Sequence, residues 1–190
     1  TAPFSPLGHN ARVNTANATC MALPTNQPIA PERNTALMRE ANQEQPFSPV
    51  YHYAFVTDAV EGLIAVNVDT FADGEFRNND LARAFTFNPD GVLTGARHIT
   101  LAGDYAYVVT DRALVTVRLP KPWSADKPCT LDAKKGETCL APEITSTVPL
   151  ADPRATAVQF RYLWVTTANG LEVMGVTDLS RPQPIPEATV

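Results

Sequence analysis

One hairpin pattern recurs three times along this chain of 190 residues, and it limits the fold more than any other feature. Each copy is an aromatic-rich run ending in Thr or Asp, followed by a short turn and a second run rich in Leu and Val. The copies occupy residues 53–68, 105–119 and 162–176. Two short runs rich in β-branched and aromatic residues, separated by a turn, are typical of a β-hairpin. The pattern therefore predicts an all-β protein.

A further run precedes the second and third hairpins, at residues 98–101 and 157–160, and indicates an inner strand before each. Strands repeating at roughly 50 residues are typical of a propeller blade or another all-β array. We therefore expect propeller-type blades of four-stranded antiparallel sheets. A full ring of six or seven blades needs about 45 residues for each, so this chain is expected to form a partial or incomplete ring.

The residues outside the repeats define the organisation of the chain. Residues 1–48 do not repeat and are rich in Asn, Pro and Thr, so we expect an irregular N-terminal segment with one short helix over 31–43. Residues 49–190 form the β-propeller-like repeat region. Within it, residues 120–143 hold all the lysines of the chain and several of its 17 prolines, and we interpret them as an exposed excursion.

Composition and charge exclude several classes of protein. With 44% hydrophobic and 18% charged residues, the chain is neither disordered nor a coiled coil. Its net charge of −5 argues against wrapping a nucleic acid, and no apolar run approaches the ~18 residues of a spanning helix.

Thr1 opens no signal-peptide pattern, so we expect either a cleaved signal or a piece of a longer chain, and residues 182–186 suggest a linker.

The three cysteines bear on the redox compartment. Cys129 and Cys139 flank a Lys-Lys-Gly-Glu turn inside the excursion, where a small loop has no core of its own. A disulfide between them would contribute roughly 2–3 kcal/mol in the chain-entropy model and would imply an oxidising compartment. Two free thiols are the alternative, and the spacing suits no ordinary zinc site. Cys20 is left over, either buried or paired outside this chain.

The connection after the first hairpin, residues 69–95, is expected to contain one helical turn near residues 81–84. Its acids match three positions of a calcium-loop template, namely Asp69, Asp73 and Asp80. The third template position is Phe71, whose side chain cannot ligate a cation. An Asp-Gly turn after a strand explains the same residues. Calcium is therefore the weaker interpretation, and we expect no metal site.

The sequence contains no catalytic constellation. The histidines His9, His52 and His98 have no Ser, Cys or carboxylate beside them in a recognised motif. His98 lies in a predicted inner strand, where we expect a hydrogen-bonded residue of the core or channel. The alternative is a ligand to a haem held by a partner. We therefore expect no catalytic residue and no enzyme activity in this chain.

Aromatic and acidic residues recur in the hairpins. Phe55, Tyr107 and Trp164 align with one another, which favours packing between blades over a sugar-binding platform. Trp123 breaks this pattern within the lysine-rich excursion and is the candidate contact aromatic, with a local packing role as the alternative. Asp58 and Asp111 end the first strand of two hairpins and are expected to cap turns.

The hairpins resemble a known family of repeats. The segments are YAFVTD…EGLIAVNV, YAYVVTDRALVTVRL and YLWVTTANGLEVMGVTDLSRP, and they are similar to LVIVD-type repeats. Those are bacterial extracytoplasmic repeats that build β-propellers, so the resemblance implies the same fold and location. Residues 69–100 are also similar to a segment of large secreted bacterial proteins, some of which carry multihaem c-type cytochrome regions. This chain has no Cys-x-x-Cys-His, so it attaches no c-type haem of its own.

The sequence thus predicts a non-enzymatic structural or interaction segment of an extracytoplasmic assembly, periplasmic or at the cell surface, in an electron-transfer context. The alternatives are a subunit of an oxidoreductase whose cofactor lies on a partner chain, and a carbohydrate- or ligand-binding propeller. Because terminal blades would leave apolar faces uncovered, we expect other polypeptide to close the array. That partner would be the rest of a parent protein or other subunits, in a contact above ~2,000 Å².

The disulfide is directly testable. Peptide mapping by mass spectrometry without reduction should find the peptides of Cys129 and Cys139 linked, because the turn between them brings the two sulfurs together. Alkylation of both thiols before any reduction would contradict the bond and remove most of the argument for an oxidising compartment.

Overall fold

The computed structural model describes residues 12–24, 53–68, 81–119, 123–124, 127–128 and 142–188. These residues form three four-stranded antiparallel sheets and one two-stranded ladder. Apart from two short 3₁₀ turns, at Pro89–Gly91 and Pro186–Ala188, the described part of the chain contains no helix. No helix within these ranges is long and apolar enough to cross a membrane. The predicted all-β fold is confirmed.

The first sheet combines the first hairpin with strands from both sides of it. In spatial order, it contains β1 (Ala18–Ala22), β2 (Tyr53–Asp58), β3 (Gly62–Asn67) and β4 (Ala82–Phe87). Strand β1 comes from residues 1–48, where no repeat was expected. Strand β4 replaces the helical turn predicted near residues 81–84, and that prediction is wrong. The run has good helix propensity, but pairing with the free edge of β3 satisfies its backbone groups and overrides that propensity.

The second sheet is a meander interrupted by the excursion. It contains β5 (His98–Ala102), β6 (Tyr105–Val109), β7 (Ala113–Arg118) and a fourth strand, β10 (Glu143–Pro149). In the sequence, the segment between β7 and β10 contains a two-stranded ladder of β8 (Trp123–Ser124) and β9 (Lys127–Pro128). The third sheet contains β11 (Ala155–Gln159), β12 (Tyr162–Thr167), β13 (Gly170–Gly175) and β14 (Gln183–Pro184).

The three sheets are arranged as consecutive propeller-type blades, which we number 1 to 3 in chain order. Strand β5 contacts both β1 and β11, so the first strands of the three blades lie side by side. This is the arrangement of inner strands around a propeller axis. The sheets do not close into a ring.

The core between blades 1 and 2 follows from strand alternation. Successive side chains of a strand point to opposite faces of the sheet. In blade 1 the face toward blade 2 carries Phe55 and Leu63, which are 1% and 0% exposed. They pack against branched side chains of blade 2 that include Val108 and Val115. These contacts are between apolar side chains, so they contribute through the hydrophobic effect.

The core between blades 2 and 3 repeats this arrangement in the same register. Tyr107 and Leu114 of blade 2, both 0% exposed, pack against Leu163 and Met174 of blade 3. The Tyr107 hydroxyl donates a hydrogen bond of 2.9 Å to the backbone oxygen of Leu179, in the turn before β14. Burial raises the pKa of Tyr107 far above its ordinary value, so the phenol remains a donor.

The opposite face of blade 1 is covered by the chain itself. Ala54, Ile64 and Val66 lie on this face and are at most 6% exposed. Val13 and Leu81 are among the apolar residues packed against them. The cover is partial, because Val56 on the same face is half-buried and Met21, which pairs with Val56, is 60% exposed.

The Tyr107 hydrogen bond should contribute measurably to stability. Replacing Tyr107 by Phe keeps the ring but leaves the Leu179 carbonyl without this donor, and should lower the free energy of unfolding by about 1 kcal/mol. Urea denaturation followed by circular dichroism measures the change. Tyr105→Phe, at a partly exposed ring of the same strand, is the matched control. Equal losses in the two variants would contradict a specific role for this bond.

Candidate interaction site

The turns of the three hairpins are capped at one structural position. Asp58 of blade 1 is 0% exposed and accepts bonds of 2.8 Å from the backbone N–H groups of Val60 and Glu61. In blade 2 the same position is Thr110, whose hydroxyl accepts from the N–H of Ala113 at 3.1 Å. In blade 3 it is Thr167, which accepts from the N–H of Asn169 at 3.1 Å. The capping role predicted for Asp58 is present, and these acceptors serve the turns.

Asp111 does not take that position. It is one residue past Thr110, its side chain is half exposed, and it pairs with the neighbouring Arg112 at 3.3 Å. The prediction that Asp111 caps the turn is therefore wrong. It arose because the two runs end in the same Thr-Asp pair, whereas the strand register aligns Asp58 with Thr110.

Hydrogen bonds hold Asp58 in its charged form. Burial alone would raise the pKa of Asp58, but N–H donors from Glu61, Asn17 and Val60, together with Arg83, hold it below its ordinary value. The Asn17 donor lies just before β1, so this carboxylate also ties the inner strand to the hairpin.

His98 joins the inner strands of blades 2 and 3. Its Nδ1 accepts a hydrogen bond of 3.3 Å from the backbone N–H of Thr156 in β11. The hydroxyl of Thr100 donates to the backbone oxygen of Thr156 at 2.9 Å. Both outward-facing backbone groups of Thr156 are thus satisfied by side chains of β5. This agrees with the expectation of a hydrogen-bonded residue of the core or channel.

The Nδ1 bond requires a neutral ring. An amide N–H can only donate, so Nδ1 must present its lone pair and the proton must lie on Nε2. Burial lowers the pKa of His98 from its ordinary value of 6.5. At neutral pH the ring therefore serves as a structural acceptor between two blades.

The remaining candidate site is the face of blade 3 that points away from blade 2. It carries Tyr162, Trp164, Leu171 and Val173, and we call it the open face. Val173 is 3% exposed, and its strand contacts the 3₁₀ turn Pro186–Ala188, whereas the other three residues are partly exposed. By register, Trp164 matches Phe55 and Tyr107, and Leu171 matches Leu63 and Leu114. The four matching residues in blades 1 and 2 are completely or almost completely buried, but Trp164 and Leu171 are partly exposed. No described segment forms a further blade against this face.

An exposed phenylalanine stands at the edge of this face. Phe160 is 90% exposed and has a φ of 55° in the turn between β11 and β12. Blade 2 has Gly103, with a φ of 57°, at the same turn position. A bulky residue in the left-handed region costs roughly 1–2 kcal/mol. The exposed ring thus occupies a backbone position that favours glycine.

The remaining candidate residues lie elsewhere. The backbone of Trp123 pairs with Pro128 in the short ladder. Cys20 is an unpaired, half-buried thiol that packs at the core between blades 1 and 2. The disulfide candidates Cys129 and Cys139, the calcium candidates Asp69, Asp73 and Asp80, and His9 and His52 lie outside the described residues, as does the predicted helix at 31–43. Those predictions stay predictions.

The described part of the chain offers little for chemistry. It holds no group of three or more His, Cys, Asp or Glu side chains arranged to bind a metal ion. One pocket of about 440 Å³ lies over blade 1, lined by residues that include Val13, Cys20, Val56 and Val66. Its wall is mostly apolar and contains no carboxylate, histidine or basic side chain. The open face is therefore the feature with the clearest capacity to bind another molecule.

Comparison with family models, with curated proteins and with solved structures finds no match for this chain.

The neutral His98 should make folding sensitive to mild acid. Because its pKa is lower in the folded state, the unfolded state takes up the proton first as the pH falls below 6.5, and stability falls with it. We expect the free energy of unfolding to decrease from about pH 7.5 to about pH 5.5. His98→Asn keeps an acceptor near the Nδ1 position without titrating, and should flatten this dependence. An unchanged pH profile in that variant would show that other groups cause the effect.

Proposed function

We propose that this chain is a non-catalytic structural and interaction segment, which builds a row of propeller-type blades and joins them to other polypeptide. The observation that carries the proposal is the open face. The aromatic and the leucine at two matching strand positions are buried in blades 1 and 2. In blade 3 the same positions, Trp164 and Leu171, are partly exposed. An apolar face of this kind, with an exposed aromatic at its edge, is typical of an interaction surface.

The environment we propose is extracytoplasmic and bacterial, periplasmic or at the cell surface. The support is the resemblance of the three hairpins to LVIVD-type repeats. The likeness of residues 69–100 to secreted proteins with multihaem regions adds an electron-transfer context, in which any haem belongs to a partner. A visible absorption spectrum of the native assembly tests this context, because haem bands must accompany the chain through purification.

Carbohydrate binding is the second candidate, since Tyr162 and Trp164 are both partly exposed on one face. Their ring centroids are 6.5 Å apart and their planes are tilted by 56°. A flat sugar-binding platform would present coplanar rings, whereas tilted rings are typical of aromatic packing. The geometry therefore favours a protein partner, and binding on a glycan array would reverse that preference.

The partly exposed apolar residues of the open face predict association of the isolated chain. Light scattering of residues 1–190 across a dilution series should show a mass that rises with concentration. Trp164→Lys should suppress the association, because it places a charge at the centre of the open face. Val60→Lys, at an exposed valine in the β2–β3 turn, is the matched control and should leave the association unchanged. A dilution-independent monomer with one cooperative thermal transition would show that the chain needs no partner.

A further inference from the structure

We infer that the open face of blade 3 binds a fourth blade of the same type, supplied by polypeptide other than a second copy of this chain. The inference rests on the proposed function, because it identifies the class of partner that the open face receives. Its expected contact is a copy of two interfaces that the structure already contains.

The first argument is continuity with those interfaces. Phe55 and Leu63 of blade 1 face blade 2, and Tyr107 and Leu114 of blade 2 face blade 3. In both cases one aromatic and one leucine, from adjacent strands, are buried by branched aliphatic side chains of the next blade. Trp164 and Leu171 are the third pair in this series. The surface that would bury them is therefore the kind that blade 3 itself presents to blade 2.

The second argument is the cross-strand environment of each aromatic ring. On the inner side, Phe55 lies opposite Ala22, and Tyr107 lies opposite Thr100. Trp164 lies opposite Ala157, which is exposed. Each ring thus has a small neighbour that leaves it free to lie across the sheet and meet the next blade. Blade 3 preserves this pairing, with Ala157 exposed beside the ring.

The third argument concerns the turn that fastens one blade to the preceding one. At blade 2, Leu179 of the following blade approaches Gly103, and its Cδ1 would be 3.6 Å from a Cβ atom added there. The same turn position on blade 3 is Phe160, which is 90% exposed. A turn like that of Leu179 on a fourth blade would therefore meet an aromatic side chain. This contact gives the strained, exposed phenylalanine a physical role.

A second copy of the chain is a poor occupant of the open face. To continue the series, it would have to present the outer face of its blade 1, which carries Ala54, Ile64 and Val66. These three residues are already buried, and Val13 and Leu81 lie against them, although Met21 beside them is 60% exposed. A second copy would need to displace these residues first. The partner is therefore a blade whose aliphatic face is free.

The test supplies such a blade as a defined probe. A second copy of residues 150–188 is appended after residue 188, so that the added blade presents the face that normally packs on Tyr107. Trp123→Phe, and a Phe in place of the tryptophan of the added blade, leave Trp164 as the sole reporter. We expect its fluorescence emission to shift to shorter wavelength. We also expect acrylamide quenching to fall roughly twofold or more, as an indole moves from a partly exposed to a buried site.

Two controls make the result specific. Replacing the added blade's counterpart of Met174 by Glu puts a charge into the predicted contact and should restore the original quenching. Phe160→Gly in the main chain removes the ring that meets the incoming turn, and should weaken the protection of Trp164. Limited proteolysis reports whether the added blade is ordered. An added blade that stays protease-sensitive, or one that is ordered while Trp164 remains accessible, overturns the inference.

The inference and the proposed function fail in different ways. A discrete dimer of the unextended chain, abolished by Trp164→Lys, would make a second copy the occupant and overturn only the inference. A dilution-independent, cooperative monomer of the unextended chain would remove the proposed interaction role. Concentration-dependent association of that chain, replaced by a monomer with protected Trp164 after the extension, is the result we expect.

Discussion

Apolar packing between the faces of neighbouring blades is the interaction on which the rest of this structure depends. A four-stranded sheet is too thin to bury its own side chains, so each blade acquires a core only from the blades beside it. The sequence meets this requirement by making both faces of β2 and β3 apolar, and likewise both faces of β6 and β7. Residues such as Val108 and Tyr107 are consecutive in the chain but belong to different cores.

The inner strands raise a separate physical problem. An edge strand presents unpaired N–H and C=O groups that invite pairing with other chains. In blade 3 the edge of β11 is protected at Thr156 by the ring of His98 and the hydroxyl of Thr100, both from blade 2. In blade 1 the Thr19 hydroxyl donates to the backbone oxygen of Ala96, ahead of β5, at 2.9 Å. Side chains from one blade thus complete the hydrogen bonding of the next, and this holds the inner strands together without a continuous sheet.

The sequence was sufficient to predict the features that local chemistry determines. Hairpins carry their own signal in β-branched runs and turns, and the alignment of Phe55 with Tyr107 correctly indicated packing between blades. Strands that depend on distant partners could not be predicted in this way. Strand β1 pairs with β2 across the intervening residues 23–52, and β14 is only two residues long and contains a proline.

The candidate site, too, could be predicted from the sequence only in part. The alignment of the three hairpins drew attention to Trp164. Its partial exposure could not be predicted, because it depends on whether another blade packs against it. The Asp111 error shows that a shared Thr-Asp pair is weaker information than strand register. Phe160 was missed, although a signal existed: it follows the inner strand at the position that Gly103 occupies in blade 2, where the backbone is left-handed.

The outer faces of blade 1 and blade 3, at the two ends of the row of blades, differ in which residues are packed and which are exposed. At the blade 1 end, Val13 and Leu81 pack against Ala54, Ile64 and Val66, which are buried, while Met21 of β1 remains 60% exposed. At the blade 3 end, the sheet keeps the aromatic and leucine of the buried interfaces, keeps a small residue beside the ring, and adds Phe160 at its edge. Burying this partly exposed apolar area against another surface would be favourable, by on the order of 25 cal/mol for each Å². The partly exposed aromatic and leucine of this face are the observations on which our proposal of a further blade rests.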